Sequence, residues 1–123
     1  MPPTRPVPQR PVSVRPVSVR PSYAGVTMAR VTCVLDRAAA RAVSRIIAAR
    51  AGGECVVVDL TGVAAVTEDG AATLRAAAAG AARAGVHLYV SADEDSVAAV
   101  RDAGVERNLI SPSAAAALTG SRP

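Results

Sequence analysis

Residues 54–60, ECVVVDL, constrain this chain more than any other segment. The run is a nearly continuous apolar stretch with three successive valines, and it lacks the alternation of a strand with one wet face. Such a segment fits a central strand of a parallel sheet, covered on both sides. Parallel neighbours require crossover connections of a dozen or more residues, usually helical. The flanking sequence provides them. Residues 37–50 place Val43, Ile46 and Ile47 at helical spacing, with Arg37, Arg41 and Arg45 on another face. Asp36 precedes this segment as a good N-cap, and Gly52–Gly53 ends it. Residues 69–84 are mostly Ala and stop at Gly85, which predicts a second helix.

The rest of the chain extends the alternation. Residues 26–35, VTMARVTCVL, predict a strand with a bend near Ala29–Arg30. Residues 86–91 predict another, in which Val86, Leu88 and Val90 alternate with His87 and Tyr89. Ser91 and Glu94 have capping-box spacing for a third helix running to about Ala103. Leu109–Ile110 predicts a short edge strand, and Ser111-Pro112 opens a last helix with Ser as N-cap and Pro at its first position. The expected architecture is α/β, one domain over residues 26–119 with a mostly parallel sheet and right-handed crossovers. Binding in open α/β sheets concentrates outside the carboxyl ends of the strands. Those ends fall near Asp36, Thr61–Gly62 and Ser91–Asp93.

With no Phe or Trp in the chain, Val and Ala must fill the core. The opening segment cannot join it on composition. Residues 11–20 read PVSVR twice, and Pro every five residues removes donors and interrupts helix and central strand alike. Residues 1–22 are therefore expected to form a disordered Pro/Arg-rich arm. The net charge of +4 is unevenly placed. Residues 1–30 hold five arginines and no acid, whereas nine arginines against ten acids leave the remainder at −1. Cys33 and Cys55 lie in apolar runs, and the first twenty residues contain no apolar signal segment. Free buried thiols and a cytoplasmic location are the expectation. No apolar stretch approaches the ~20 residues of a membrane span.

Much chemistry is excluded. Every basic residue is Arg, so Schiff-base and other lysine chemistry has no residue to carry it. His87 is the single histidine, placed mid-strand with no acid near it in sequence. One His and two strand Cys are too few for a zinc site, and neither common phosphate-binding Gly loop occurs. No metal or other cofactor is expected. Asp36, Glu68, Asp69, Asp93, Glu94 and Asp95 gather toward one sheet edge, as acids do in a receiver domain, but the lysine such a domain uses beside its phosphoryl group is missing. Acids at helix N-termini also suit the macrodipole with no further role.

Over residues 56–90, VVVDLTGVAAVTEDGAATLRAAAAGAARAGVHLYV, the chain resembles a STAS domain, the fold of bacterial anti-sigma factor antagonists. Asp59, Leu60, Thr61, Gly62 and Val63 resemble the family's strand-end turn of D-L-S-G-V type. Leu35–Asp36 resembles its earlier strand end, and Asp102-Ala103-Gly104-Val105 its late helix-to-Gly turn, so that the likeness covers roughly residues 26–118. It implies helices packed mainly on one face of the sheet. It also implies docking on an anti-sigma factor or related kinase-like protein, with no catalysis by this chain. The family's Asp-Ser-Ser-Gly-like loop is represented by Thr67, Glu68, Asp69 and Gly70. The serine phosphorylated in typical antagonists falls on Glu68, which cannot accept phosphate. A phosphoserine there would carry about −1.5 to −2, so Glu imitates it only in part. Thr67 as N-cap, with Glu68 and Asp69 decorating the first turn, explains the same residues without a switch.

Three functional classes follow. In the first, a regulatory domain binds its partner through Asp36, Thr61, Thr67, Glu68, Asp69 and Gly70, with Glu68 at the phosphosite-equivalent position. In the second, the arm's arginines bind a polyanion, nucleic acid or anionic lipid, with steep salt dependence; the arm has no aromatic to stack on bases except Tyr23 at its end, and no specific nucleic acid is expected. The third is an enzyme at the acidic edge. If residues 1–22 are a free arm, deleting them leaves the thermal midpoint nearly unchanged.

Overall fold

Val-rich strands lie side by side in a sheet, and Ala-rich helices cover its faces. The computed structural model describes residues 17–21 and 25–119, apart from the side chains of Pro21 and Cys33. In chain order the elements are β1 (Val17–Pro21), β2 (Val26–Val31), β3 (Cys33–Leu35), α1 (Arg37–Ala48), β4 (Cys55–Asp59), β5 (Val63–Val66), α2 (Glu68–Ala84), β6 (His87–Ser91), α3 (Val97–Asp102), β7 (Leu109–Ile110) and α4 (Pro112–Thr119). The main sheet has the order β1-β2-β4-β6-β7. β2, β4, β6 and β7 are mutually parallel, and β1 pairs antiparallel to β2. β3 and β5 form a separate parallel pair.

Strand alternation sorts the core. Ala29 and Val31 of β2, Val56 and Val58 of β4, and Leu88 and Val90 of β6 point to one face, where Ala39, Ala40, Val43 and Ile47 of α1 meet Ala71, Leu74, Ala77 and Ala81 of α2. Val100, Ala103 and Val105 of the α3 region join this cluster. α1 and α2 face each other largely through alanines, which lets the two axes approach closely. The other face of the sheet carries α4, which crosses β2, β4 and β6. Val57 and Ala115 are both buried there, outside the main cluster. The continuous VVV run thus has an apolar layer on both sides.

The edge strand β1 revises the expected arm. The second PVSVR copy supplies it, with Val17 opposite Val31 and Arg20 opposite Met28. Val17 is 8% exposed and belongs to the core, while Val19, opposite Ala29, is exposed. Pro is admitted because this is an edge strand with no outer neighbour to receive an N–H. Residues 17–21 of the expected arm over 1–22 are therefore a strand of the sheet. Residues 1–16, residue 22 and Tyr23 lie outside the described residues.

Four local readings are also corrected. The bend falls at Thr32, between β2 and β3, and not at Ala29–Arg30. The segment after Gly62, to which the sequence assigns no element, contains β5, a short strand of two Val and two Ala that exists through its pairing with β3. α3 is assigned from Val97, and the turn ahead of it is capped by Asp93 and not by Ser91: the Asp93 Oδ1 accepts from the Ser96 backbone N–H (3.0 Å) and hydroxyl (2.8 Å), and Asp93 N–H donates to the Ser96 Oγ (3.1 Å). The same bonds from Ser96 hold the Asp93 carboxyl below the usual carboxylate range. His87 is the exposed first residue of β6, at the amino end of the sheet. Cys55 carries a free, half-buried thiol, whose pKa burial raises.

Deletion of residues 1–22 removes a paired strand and the buried Val17. It should cost about 2 kcal/mol and lower the midpoint of thermal unfolding by roughly 10 °C, read by circular dichroism. Val57→Asp should cost several kcal/mol by burying an unpaired charge between the sheet and α4. A variant that unfolds at the wild-type midpoint contradicts the two-sided burial of β4.

Candidate functional site

The carboxyl edge of the sheet is organised around two strand ends. Asp59 closes β4 and is 8% exposed. Its Oδ1 accepts from the Thr61 backbone N–H (2.9 Å) and the Thr61 hydroxyl (2.7 Å), and its Oδ2 lies 3.6 Å from the Arg30 Nε. Leu60 N–H donates to the Ser91 carbonyl (2.8 Å), joining the end of β4 to β6, and Val63 N–H donates to the Leu60 carbonyl (3.0 Å). The chain turns tightly here into β5, which runs along β3 and delivers Thr67 beside Leu35. Thr61 is thus committed to Asp59.

At the second strand end, β3 passes directly into α1. Asp36 caps that helix, its carboxylate accepting from Ala39 N–H at 2.9 Å. Thr67 does the same for α2, its hydroxyl accepting from Gly70 N–H at 3.0 Å. Thr67 N–H donates to the Leu35 carbonyl at 3.1 Å. Gly70 is buried against this junction. A Cβ there would fall on the Leu35 carbonyl oxygen and lie 2.8 Å from its carbon and 3.0 Å from the Asp36 carbonyl carbon. Only glycine admits so close a backbone approach.

Two helix N-termini are therefore packed side by side. Thr67, Glu68 and Asp69 stand exposed on the rim of α2, Asp36 is half-buried on α1, and Gly70 is buried beneath. The free N–H groups and the dipole of α2 favour negative charge at this rim by ~0.3–1 kcal/mol, and Glu68 and Asp69 supply it. Asp36, Thr67, Glu68, Asp69 and Gly70 come together as the sequence suggested, whereas Thr61 belongs to the β4 turn. Sequence reasoning passed over Asp59 and Arg30 as partners in that turn. The Asp-x-Thr spacing was the available signal for Asp59; Arg30 had none, since only strand pairing sets it opposite Asp59. Among the described residues no group of His, Cys, Asp and Glu is placed to hold a metal ion, and no helix is long and apolar enough to cross a membrane.

No family model and no curated protein matches the chain. Solved structures do. An anti-sigma factor antagonist from Mycobacterium paratuberculosis superimposes with a TM-score of 0.61 at 22% identity, over 92% of this chain and 97% of that one. The phosphorylated form of SpoIIAA, the Bacillus cell fate determinant, gives 0.61 at 11% identity, over 86% of this chain and 99% of its own. A sulfate transporter family protein from Wolinella succinogenes gives 0.60 at 11% identity, over 73% and 80% respectively. The chain has the STAS fold, an α/β fold with a mostly parallel central sheet that it shares with anti-sigma factor antagonists.

Gly70→Ala tests the junction. The added methyl should force α2 away from Leu35 and cost about 2–3 kcal/mol, whereas Glu68→Ala at the exposed rim should change stability by less than about 1 kcal/mol. Denaturant titration of both variants separates a packing glycine from a surface one.

Proposed function

We propose that this chain is a regulatory docking domain that binds a kinase-like anti-sigma factor through the rim Thr67–Glu68–Asp69, and that it catalyses nothing itself. One observation carries the reading. The loop opening α2 is exposed at its side chains yet fixed at its backbone, through the Leu35 carbonyl on one side and the buried Gly70 on the other. A rim held in this way presents the same surface to a partner each time, with little ordering cost on binding. The likeness to anti-sigma factor antagonists supports the identity of the partner class. Thr67, Glu68 and Asp69 make the contacts; Asp36, Thr61 and Gly70 set the position of the rim.

Glu68 then acts as a permanent, weakened version of a phosphorylated residue. A carboxylate at an exposed helix N-terminus brings one charge and two acceptor oxygens where a phosphate brings more of both. The domain is accordingly held toward the state that binds its partner weakly, with no kinase input at that position.

Glu68→Ser is the decisive variant. It should strengthen binding to the cognate anti-sigma factor by on the order of tenfold or less, about 1.4 kcal/mol, and it should take up phosphate from ATP in the partner's presence. Calorimetry and phosphate incorporation read the two effects. Tight wild-type binding that Glu68→Ser weakens would make Glu68 a direct contact and end the mimic reading. No change in either assay would leave Glu68 as a helix-stabilising acid only.

A further inference from the structure

The outward surface of the α1–α2 layer carries a row of cations without counter-charge. Arg37, Arg41 and Arg45 stand exposed along α1 at intervals of four residues, about 6 Å each. α1 holds no acid, and none of the three has a carboxylate within ion-pair distance among the described residues. This ladder works against its own helix. Like charges four residues apart destabilise a helix, and Arg37 puts a cation at the end where the dipole favours anions. The fold gains nothing from the ladder.

The ladder borders an open groove of about 440 Å3 between the carboxyl-terminal halves of α1 and α2. Ile47 and Ala77 are buried in its floor, and Ala48 and Gly80 narrow nothing, being small. Arg50 and Arg83 also line it, and no described acid does. The Arg83 guanidinium lies over Gly80, its Nη2 3.9 Å from where a Cβ would stand. Arg50 Nη1 donates to the Thr27 hydroxyl at 3.0 Å, while Arg50 Nε is buried and has no acceptor. Neither arginine has an ion-pair partner among the described residues. The dipole at the end of α2 accounts for Arg83. It does not account for the ladder, nor for a half-buried guanidinium left without an anion.

Guanidinium groups pair with carboxylates and phosphates alike, and three features of this face favour carboxylates on a protein. α1 and α2 carry no aromatic side chain on which bases could stack. The large apolar side chains exposed among the described residues are Val19 and Leu118, on other elements, so this face has nothing to insert into a bilayer. Asp36, Glu68 and Asp69 stand where the two helices begin. A long polyanion running along α1 meets like charge there, whereas a short acidic segment ends before it.

We propose that the outward face of α1 and α2 binds a short acidic segment of a protein partner, seated on the groove beside Ala48 and Gly80, with its carboxylates on Arg41, Arg45, Arg50 and Arg83. Gly80 and Arg83 lie about 20 Å along α2 from Thr67. The surface is therefore separate from the Thr67–Glu68–Asp69 rim, and the inference stands whichever partner that rim binds.

The test titrates the full chain with decaglutamate at about 20 mM salt, where exposed charge pairs are little screened, and follows amide proton–nitrogen spectra. Amides of residues 41–50 and 76–84 should shift, and those of residues 67–70 should stay. Read at the shifting amides, R41Q/R45Q should weaken binding roughly fivefold and Arg83→Gln about twofold. Arg107→Gln, at an exposed arginine off this face, should leave binding unchanged. Arg41→Glu places an acid four residues from both Arg37 and Arg45. It should abolish binding while raising the thermal midpoint by about 5 °C, a pair of effects that a structural role for Arg41 would not give. The proposal is overturned by shifts confined to the N-terminal arm, by equal weakening in Arg107→Gln, or by a midpoint that falls in Arg41→Glu. It is overturned too if a DNA duplex of about 20 base pairs, or vesicles of phosphatidylglycerol, shift the same amides at a lower concentration of anionic groups than decaglutamate does.

Discussion

The contact between the first turn of α2 and the Leu35 backbone is the constraint on which the candidate site depends. Thr67 N–H donates to the Leu35 carbonyl, and Gly70 lies so close to that carbonyl that no side chain fits between them. This joins the end of β3, the start of α1 and the start of α2 at one point. Two N-caps, Asp36 and Thr67, face the same edge as a result. The exposed rim inherits its rigidity from the buried glycine beneath it.

That junction requires helices able to come close, and the composition permits it. Without Phe or Trp, the interior is built from Val, Leu, Ile and Ala, and the α1–α2 contact is largely alanine on alanine. Each small side chain buries little area, so stability is distributed over many contacts and no single anchor dominates. The sheet compensates by being covered twice: α1, α2 and α3 on one face, and α4 over Val57 on the other. The charge distribution has the same economy. Acids collect at helix N-termini along one edge, where the dipoles favour them, and the β4 turn uses Asp59 to hold Thr61 and face Arg30.

Local chemistry was readable wherever it acts over a few residues. The apolar run of β4, the helical spacing in α1, the caps Asp36, Thr67 and Ser111, and the Gly85 stop are all short-range signals, and the elements they predict are present. The reading failed where a distant partner decides. The second PVSVR copy has the composition of a free arm, yet Val17–Pro21 pairs with β2 because that edge was open and Val17 could be buried. The VAAV of β5 has no strand signal beyond its two valines and becomes a strand by lying along β3. One short-range reading also failed, to a local competitor: Ser91 has capping-box spacing with Glu94, but the reciprocal Asp93–Ser96 pair, at the same spacing, forms the cap.

The candidate site divides in the same way. The sequence by itself determined that an acidic, Thr-capped helix start would stand at the carboxyl edge of a parallel sheet, because helix caps and strand burial are written in adjacent residues. It also determined that lysine chemistry and a His–Cys metal centre were out of reach, because the residues are missing. Only the tertiary structure decided that Gly70 is a packing residue and not a surface one, that Thr61 is bound to Asp59, and that Val17–Pro21 is a strand paired with β2. Each of these depends on backbone atoms brought together from separate parts of the chain, and the strand pairing that brings them together is a long-range property no short stretch of sequence contains.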